Sequence, residues 1–138
     1  MAIPLLGAVL RIPATPALMA AAGKGLVAVN LELLRQAKAS GRPLPDLRLS
    51  GVRYRQEPFG REEWDNVLTL LRRGWGDCED LAAWRAAEVQ LQGGKAELAV
   101  RPSRSGIPGR YHAVVWRPDL KKFEDPSEWQ GMAGPRAD

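Results

Sequence analysis

Cys78, the only cysteine, lies in the run Gly-Trp-Gly-Asp-Cys-Glu-Asp-Leu-Ala-Ala-Trp from Gly74 to Trp84, where a glycine-rich turn leads into a helical pattern. The thiol therefore falls in the first turn of a helix, where unpaired backbone N–H groups and the positive end of the macrodipole favour a thiolate. His112, the only histidine, follows in a strand-like stretch, and Asp125 comes after it in Phe123-Glu124-Asp125-Pro126-Ser127. A nucleophile, a base and an orienting carboxylate in that order are the parts of acyl transfer through a thioester. His112 would draw the proton from Cys78, Asp125 would fix the imidazole's tautomer, and the N–H of Cys78 would donate to the developing oxyanion. Asp77, Glu79 and Asp80 act against this, because three carboxylates around a thiol raise its pKa unless they are solvated or tied up in capping. An ion pair with His112 must then carry most of the activation.

Taken singly, each of these residues has a structural explanation. Free cysteines are commonly small buried hydrophobes, Asp77 and Asp80 read as helix caps, and Asp-Pro-Ser is a common turn. Trp64, Trp75, Trp84, Trp116 and Trp129 are most simply packing residues. The combination of a helix-start thiol with a His/Asp hairpin is what points to chemistry. That hairpin imposes a condition: with an odd register sum about Pro118 to Leu120, His112 and Asp125 share a face. A shift of one residue would send them to opposite faces.

The elements that must position these groups can be read along the chain. Thr15-Pro16 starts a helix that is expected to break near Gly23 to Gly25, resume through Leu26, Val29, Leu33 and Leu34, and stop at Ser40 to Pro43. Leu47 to Gln56 is a strand candidate with Val52 and Tyr54 in period two. Pro58 to Glu62 reads as a loop, and Glu63 to Arg73 as a helix with Trp64, Val67, Leu68 and Leu71 inward. A third helix starts at the Asp77 cap, with Asp80 completing an acidic capping box, and runs to Leu91 before Gly93-Gly94. It is expected to bury Leu81, Ala82 and Val89. Lys95 to Arg101 and Arg110 to Arg117 alternate as strands around a Pro102 to Gly109 loop. Lys122 to Asp125 returns as a third strand, and the tail from Gln130 reads as loop. Helices followed by antiparallel strands predict an α+β fold with a central helix packed on a sheet.

The chain has 138 residues, 45% hydrophobic and 26% charged, which suits one globular domain with a core and excludes a disordered chain. One cysteine excludes an internal disulfide framework and a cysteine-rich zinc site. The formal charge is +4, but the arginines are scattered with no tract of interleaved aromatics, which argues against nucleic acid as the partner. The apolar runs Ile3 to Leu10 and Leu18 to Ala22 are interrupted by Pro4, Arg11, Gly23 and Gly25 and lack a basic flank. A soluble, unprocessed protein with no membrane association is expected.

The blocks Gly76-Asp77-Cys78-Glu79-Asp80-Leu81-Ala82, Tyr111-His112-Ala113-Val114-Val115 and Phe123-Glu124-Asp125-Pro126-Ser127 closely resemble the transglutaminase-like branch of the papain-like cysteine peptidases. The short form encoded by bacteriophages and prophages looks most similar, including a Tyr-containing strand and a Glu-Glu-Trp helix upstream. The resemblance spans roughly Val52 to Trp129. It implies a papain-like, transglutaminase-like core over residues 51–138, with 1–50 as an N-terminal helical extension packed on it or docking beyond it. It implies Cys78 as nucleophile, His112 as general base and acid, and Asp125 as orienter, with hydrolysis or transamidation of a peptide or isopeptide amide. Tyr54, or else Trp75, would supply the side-chain donor that such enzymes add to the oxyanion hole. No metal or organic cofactor is implied. The expected partner is a protein or peptide substrate, in the bacterial cytoplasm or associated with a virion. The rival expectation is a virion or assembly component that keeps the fold as a scaffold and docks on other virion proteins through an N-terminal apolar helix.

Overall fold

The computed structural model describes residues 2–5, 8–11, 13, 15–57, 63–103 and 110–132. Two short antiparallel strands come first, β1 (Ala2–Leu5) and β2 (Ala8–Arg11), with Ala2 opposite Arg11 and Leu5 opposite Ala8. The first helix therefore begins only at Pro16. Thr15 caps it by accepting the N–H of Leu18 at 3.3 Å, and α1 then runs unbroken over Pro16–Ala39.

The break expected at Gly23 to Gly25 does not occur. Glycine costs a helix roughly 1 kcal/mol relative to alanine, but here Gly23 lets the helix lie against the sheet. A Cβ at that position would stand 2.8 Å from Leu98 Cδ2, so the close approach needs a residue without one. By length and composition α1 could cross a membrane, yet Leu26, Val27, Asn30 and Leu34 are buried in the protein's interior. Residues before 51 thus supply part of the main core.

The strand expected over Leu47 to Gln56 is mostly absent. Asp46 accepts the N–H of Arg48 at 3.0 Å and starts a single 3₁₀ turn over Leu47–Leu49, and Gly51 at φ +80° reverses the chain. Only β3 (Arg53–Tyr54) remains, paired in parallel with β4 (Trp75–Gly76). The next helix, α2, is also shorter than expected, spanning Val67–Arg73. Asn66 accepts from Leu68 and Thr69 and so places the helix start after Trp64. The expected loop at Pro58 to Glu62 lies outside the described residues.

Helix α3 (Cys78–Leu91) has the expected bounds and the expected reciprocal capping box between Asp77 and Asp80. Ten of its 14 residues are buried, so it is a central helix enclosed on several sides rather than a surface helix with one apolar stripe. Ala82, Ala83, Ala86 and Ala87 pack with α1 and the sheet, and their small side chains allow close approach. Leu81 and Trp84 face a second cluster with Leu47, Val52, Val67 and Leu70.

The sheet is antiparallel in the order β5 (Glu97–Pro102), β6 (Tyr111–Arg117), β7 (Lys122–Glu124). Leu98, Ala113 and Val115 turn into the core against α1 and α3. Alternation sends Ala99, Arg101, His112, Val114 and Trp116 to the opposite face. Most of the Pro102 to Gly109 loop lies outside the described residues. Asp125 is not the end of the third strand but the cap position of a short helix, α4 (Pro126–Trp129), which the sequence pattern did not indicate. The tail is tied down at its start. Gln130 is buried, and its Nε2 donates to Leu47 O (3.2 Å) and Val52 O (2.7 Å).

Candidate functional site

The β6–β7 register pairs Val115 with Glu124 and Trp116 with Phe123. Continued by one residue, it sets Asp125 level with Val114, one diagonal step from His112 and on the same face. His112 Nε2 and Asp125 Oδ2 are 2.9 Å apart. Asp125 makes no side-chain cap to α4; its carboxylate turns to the imidazole instead. An ionised carboxylate can only accept, so Nε2 carries the proton and Nδ1 is left as the basic nitrogen. Glu124 anchors this corner by holding Arg85 of α3 at 2.8 Å and Arg117 of β6 at 3.0 Å. Burial alone would raise the Glu124 carboxyl, but the two guanidinium groups hold it below its usual range.

Cys78 opens α3, half-buried. Its sulfur accepts the N–H of Ala113, next in chain to His112, at 3.5 Å. The thiol donates to Glu79 Oε2 at 3.2 Å. The His112 ring is not among its hydrogen-bond partners. The fold thus brings the sulfur beside the residue that carries the imidazole, while the S–H itself points to a carboxylate that the sequence suggested only as a source of charge. Among the described residues, Glu79 Oε1 is buried and without a hydrogen-bond partner.

The thiolate expected at the helix tip is not the resting form. Burial pushes the Cys78 thiol well above its ordinary range, the Glu79 and Asp77 carboxylates add to this, and the Ala113 N–H only partly opposes it. Burial also raises Asp77, against the N–H groups of Glu57 and Cys78, and raises Glu79, with the nearby Asp80 and Asp77 charges adding. Burial and mutual repulsion thus raise the acidic groups at this helix end as well as the thiol, so it is not an electropositive tip. The Cys78 N–H, expected to face an oxyanion, donates to Asp77 Oδ1 at 2.7 Å.

Tyr54 and Trp75 both lie on the β3–β4 pair that leads into the Cys78 turn. Tyr54 packs against the second core cluster. The guanidinium carbons of Arg73 and Arg55 lie over the Trp75 ring, 3.8 Å and 4.9 Å from its centroid. Arg73 is the organiser that sequence reasoning missed. Its NH1 meets Asp65 at 2.8 Å, NH2 meets Asp80 at 3.1 Å, and Nε donates to Trp75 O at 2.8 Å. Asp80 in turn accepts the backbone N–H groups of Asp65 (2.7 Å) and Asp77 (3.1 Å), so Arg73 braces the turn that presents the thiol. No spacing rule could reveal this, because a buried and an exposed Arg/Asp pair look alike in a sequence.

Among the described residues, two groups have ligand atoms within 4.8 Å of one another, as a metal would require: Asp77, Cys78, Glu79 and Glu57, Asp65, Asp80. In the second, Arg73 already supplies the positive charge. In the first, both Asp77 oxygens accept backbone N–H groups, from Cys78 and from Glu57. Comparison of the chain with protein-family models, with curated proteins and with solved structures finds no match.

Proposed function

We propose that the chain is a transglutaminase-like, papain-like cysteine hydrolase or acyltransferase that acts on a peptide or isopeptide amide. The observation that carries this is the His112–Asp125 pair at 2.9 Å, one residue along β6 from the N–H that meets the Cys78 sulfur. In this reading the Cys78 thiol leaves Glu79 Oε2, and His112 Nδ1 becomes its proton acceptor. The proton passes to Nδ1, the sulfur adds to the amide carbonyl, and Asp125 stabilises the imidazolium. The imidazolium then protonates the leaving amine as the C–N bond breaks. Water, or a second amine, releases the acyl group from the thioester. The residues named for these steps are those of the three sequence blocks that resemble this family. The bacterial host's cytoplasm or the virion is the compartment that goes with the phage-type resemblance.

The test is alkylation together with turnover. Iodoacetamide should modify Cys78 of the free protein through the fraction in which the thiol has turned to the imidazole, and a bound substrate should protect it. Cys78→Ala should abolish cleavage of a peptide and isopeptide library while leaving the fold intact. A native thiol that stays inert in the free protein would sink the enzyme reading.

A second reading, a virion or assembly scaffold, is favoured by a different observation. The first turns of α1 leave Ala17, Leu18 and Ala21 exposed, and the segments that precede α1 in the sequence, β1 and β2, are rich in apolar residues. Removal of residues before Pro16 should then abolish a stable complex with other virion proteins; unchanged assembly counts against it.

A further inference from the structure

The face of the sheet that carries His112 also carries Arg101, which has no acidic partner among the described residues. In the β5–β6 register Arg101 stands directly opposite His112, and Glu97 stands opposite Trp116. Directly opposed residues on one face have Cβ atoms about 4.5–5.5 Å apart. Phe123 of β7 is opposite Trp116 on its other side, and the two rings pack at 4.7 Å between centroids, tilted by 49°. The Arg101 guanidinium carbon sits 4.3 Å from the Phe123 centroid. The arginine is thus laid across the sheet on an aromatic base.

Arg55 also lies on an aromatic ring, that of Trp75, without an ion pair among the described residues, but three other arginines near the site are engaged. Arg73, Arg85 and Arg117 each hold one or more carboxylates at 2.8–3.8 Å. Among the described residues, no carboxylate lies within 4.0 Å of Arg101, and its guanidinium makes no hydrogen bond. Phe123 is 46% exposed beneath it. A planar guanidinium fixed by stacking loses little freedom when it binds a carboxylate through two parallel N–H bonds. The excess of positive charge over the chain favours approach of an anion.

We propose that Arg101, opposite His112 in the sheet and with its guanidinium seated on Phe123, binds a carboxylate on the acyl donor, so that the substrate is an anionic peptide. This rests on the cysteine acyl-transfer function above, because it places the donor at His112. Extended peptide advances about 3.3 Å per residue. The guanidinium over Phe123 lies level with Trp116, four residues along β6 from His112 or about 13 Å, so it can meet a carboxylate about four residues from the scissile amide.

The test uses the full chain and two small probes, N-acetylglutamate methylamide and N-acetylglutamine methylamide, followed by ¹H–¹⁵N NMR. The glutamate probe should shift the Arg101 Nε–H and Trp116 Nε1–H signals in a saturable way. The glutamine probe should bind about fivefold or more weakly. Arg101→Gln should lower the glutamate probe to the glutamine probe's level, and about 0.5 M salt should do much the same in the wild type. Equal binding of the two probes overturns the proposal. So does an absence of saturable shifts up to about 50 mM, or an Arg101→Gln variant that binds like wild type. None of these results touches Cys78, whose alkylation and turnover test the enzyme reading separately.

Discussion

Arg73→Met is the substitution whose cost the structure defines best. The side chain is 22% exposed, whereas those of its partners Asp65 and Asp80 are 5% and 0% exposed. Removing one partner from a buried ion cluster costs about 3–5 kcal/mol. Asp80 keeps the N–H groups of Asp65 and Asp77, which places the loss at the lower end, about 3 kcal/mol near pH 8. For a chain of this size that is a drop of roughly 10 °C in Tm. The sign with pH follows from Asp80. Burial already raises its carboxyl, against the pull of the two N–H groups and of Arg73, and the variant raises it further. A carboxyl raised in the folded state contributes stability below its unfolded pKa and loses it as pH rises through the folded value. The deficit should therefore be larger at pH 8 than at pH 5. Urea unfolding followed by tryptophan fluorescence at both pH values measures it, since Trp64 and Trp84 are buried. A loss below about 1 kcal/mol at pH 8, or a larger loss at pH 5, would show that the guanidinium does not brace this turn.

Glu79→Gln removes the carboxylate that accepts the Cys78 proton and adds to the raising of the thiol. Alkylation of Cys78 should then begin at lower pH, and a profile that stays put or moves upward contradicts the contact. Burial pushes Glu88 from 4.5 up to about 7, with the Leu47 N–H opposing, so its share of stability is full below 4.5 and is lost as pH rises through about 7. Glu88→Gln should gain about 1–3 kcal/mol relative to wild type at pH 8.5, read by urea unfolding, and should gain little at pH 4. An unchanged difference between the two pH values refutes it. Asn30, fully buried on α1, accepts the N–H of Val67 at the start of α2 with Oδ1 at 2.9 Å. Asn30→Ala should cost about 1–3 kcal/mol in chemical unfolding by orphaning that N–H; a loss within about 0.5 kcal/mol would mean that water replaces it.

The features legible in the sequence are those that depend on neighbours within a few residues. The Asp77 cap, the Asp80 return and the glycine pair after Leu91 defined α3 to the residue, because capping is chemistry between positions three apart. Alternation located β5 and β6, and the short turn after Arg117 limited the hairpin to a few registers, one of which brings His112 and Asp125 together. Local rules failed where tertiary contact outweighed them. Gly23 continues a helix because Leu98 lies against it. Leu47 to Tyr54 gives up most of a strand to an Asp46 cap and a glycine reversal. Asp125 leaves the strand to cap α4 with its backbone while its side chain serves His112.

The sequence by itself determined the inventory of the site: one thiol at a helix start, one imidazole and one carboxylate on neighbouring strand segments, and three acidic residues around the sulfur. Only the tertiary structure decided their states. Whether a carboxylate near a thiol acts as a charge, a cap or a proton acceptor depends on how much water is excluded from it. Burial is set by chain segments tens of residues apart, such as α1 against α3 and Arg73 against Asp80. For that reason the helix tip, which the local pattern presents as a thiolate site, holds its proton against Glu79 in the folded protein.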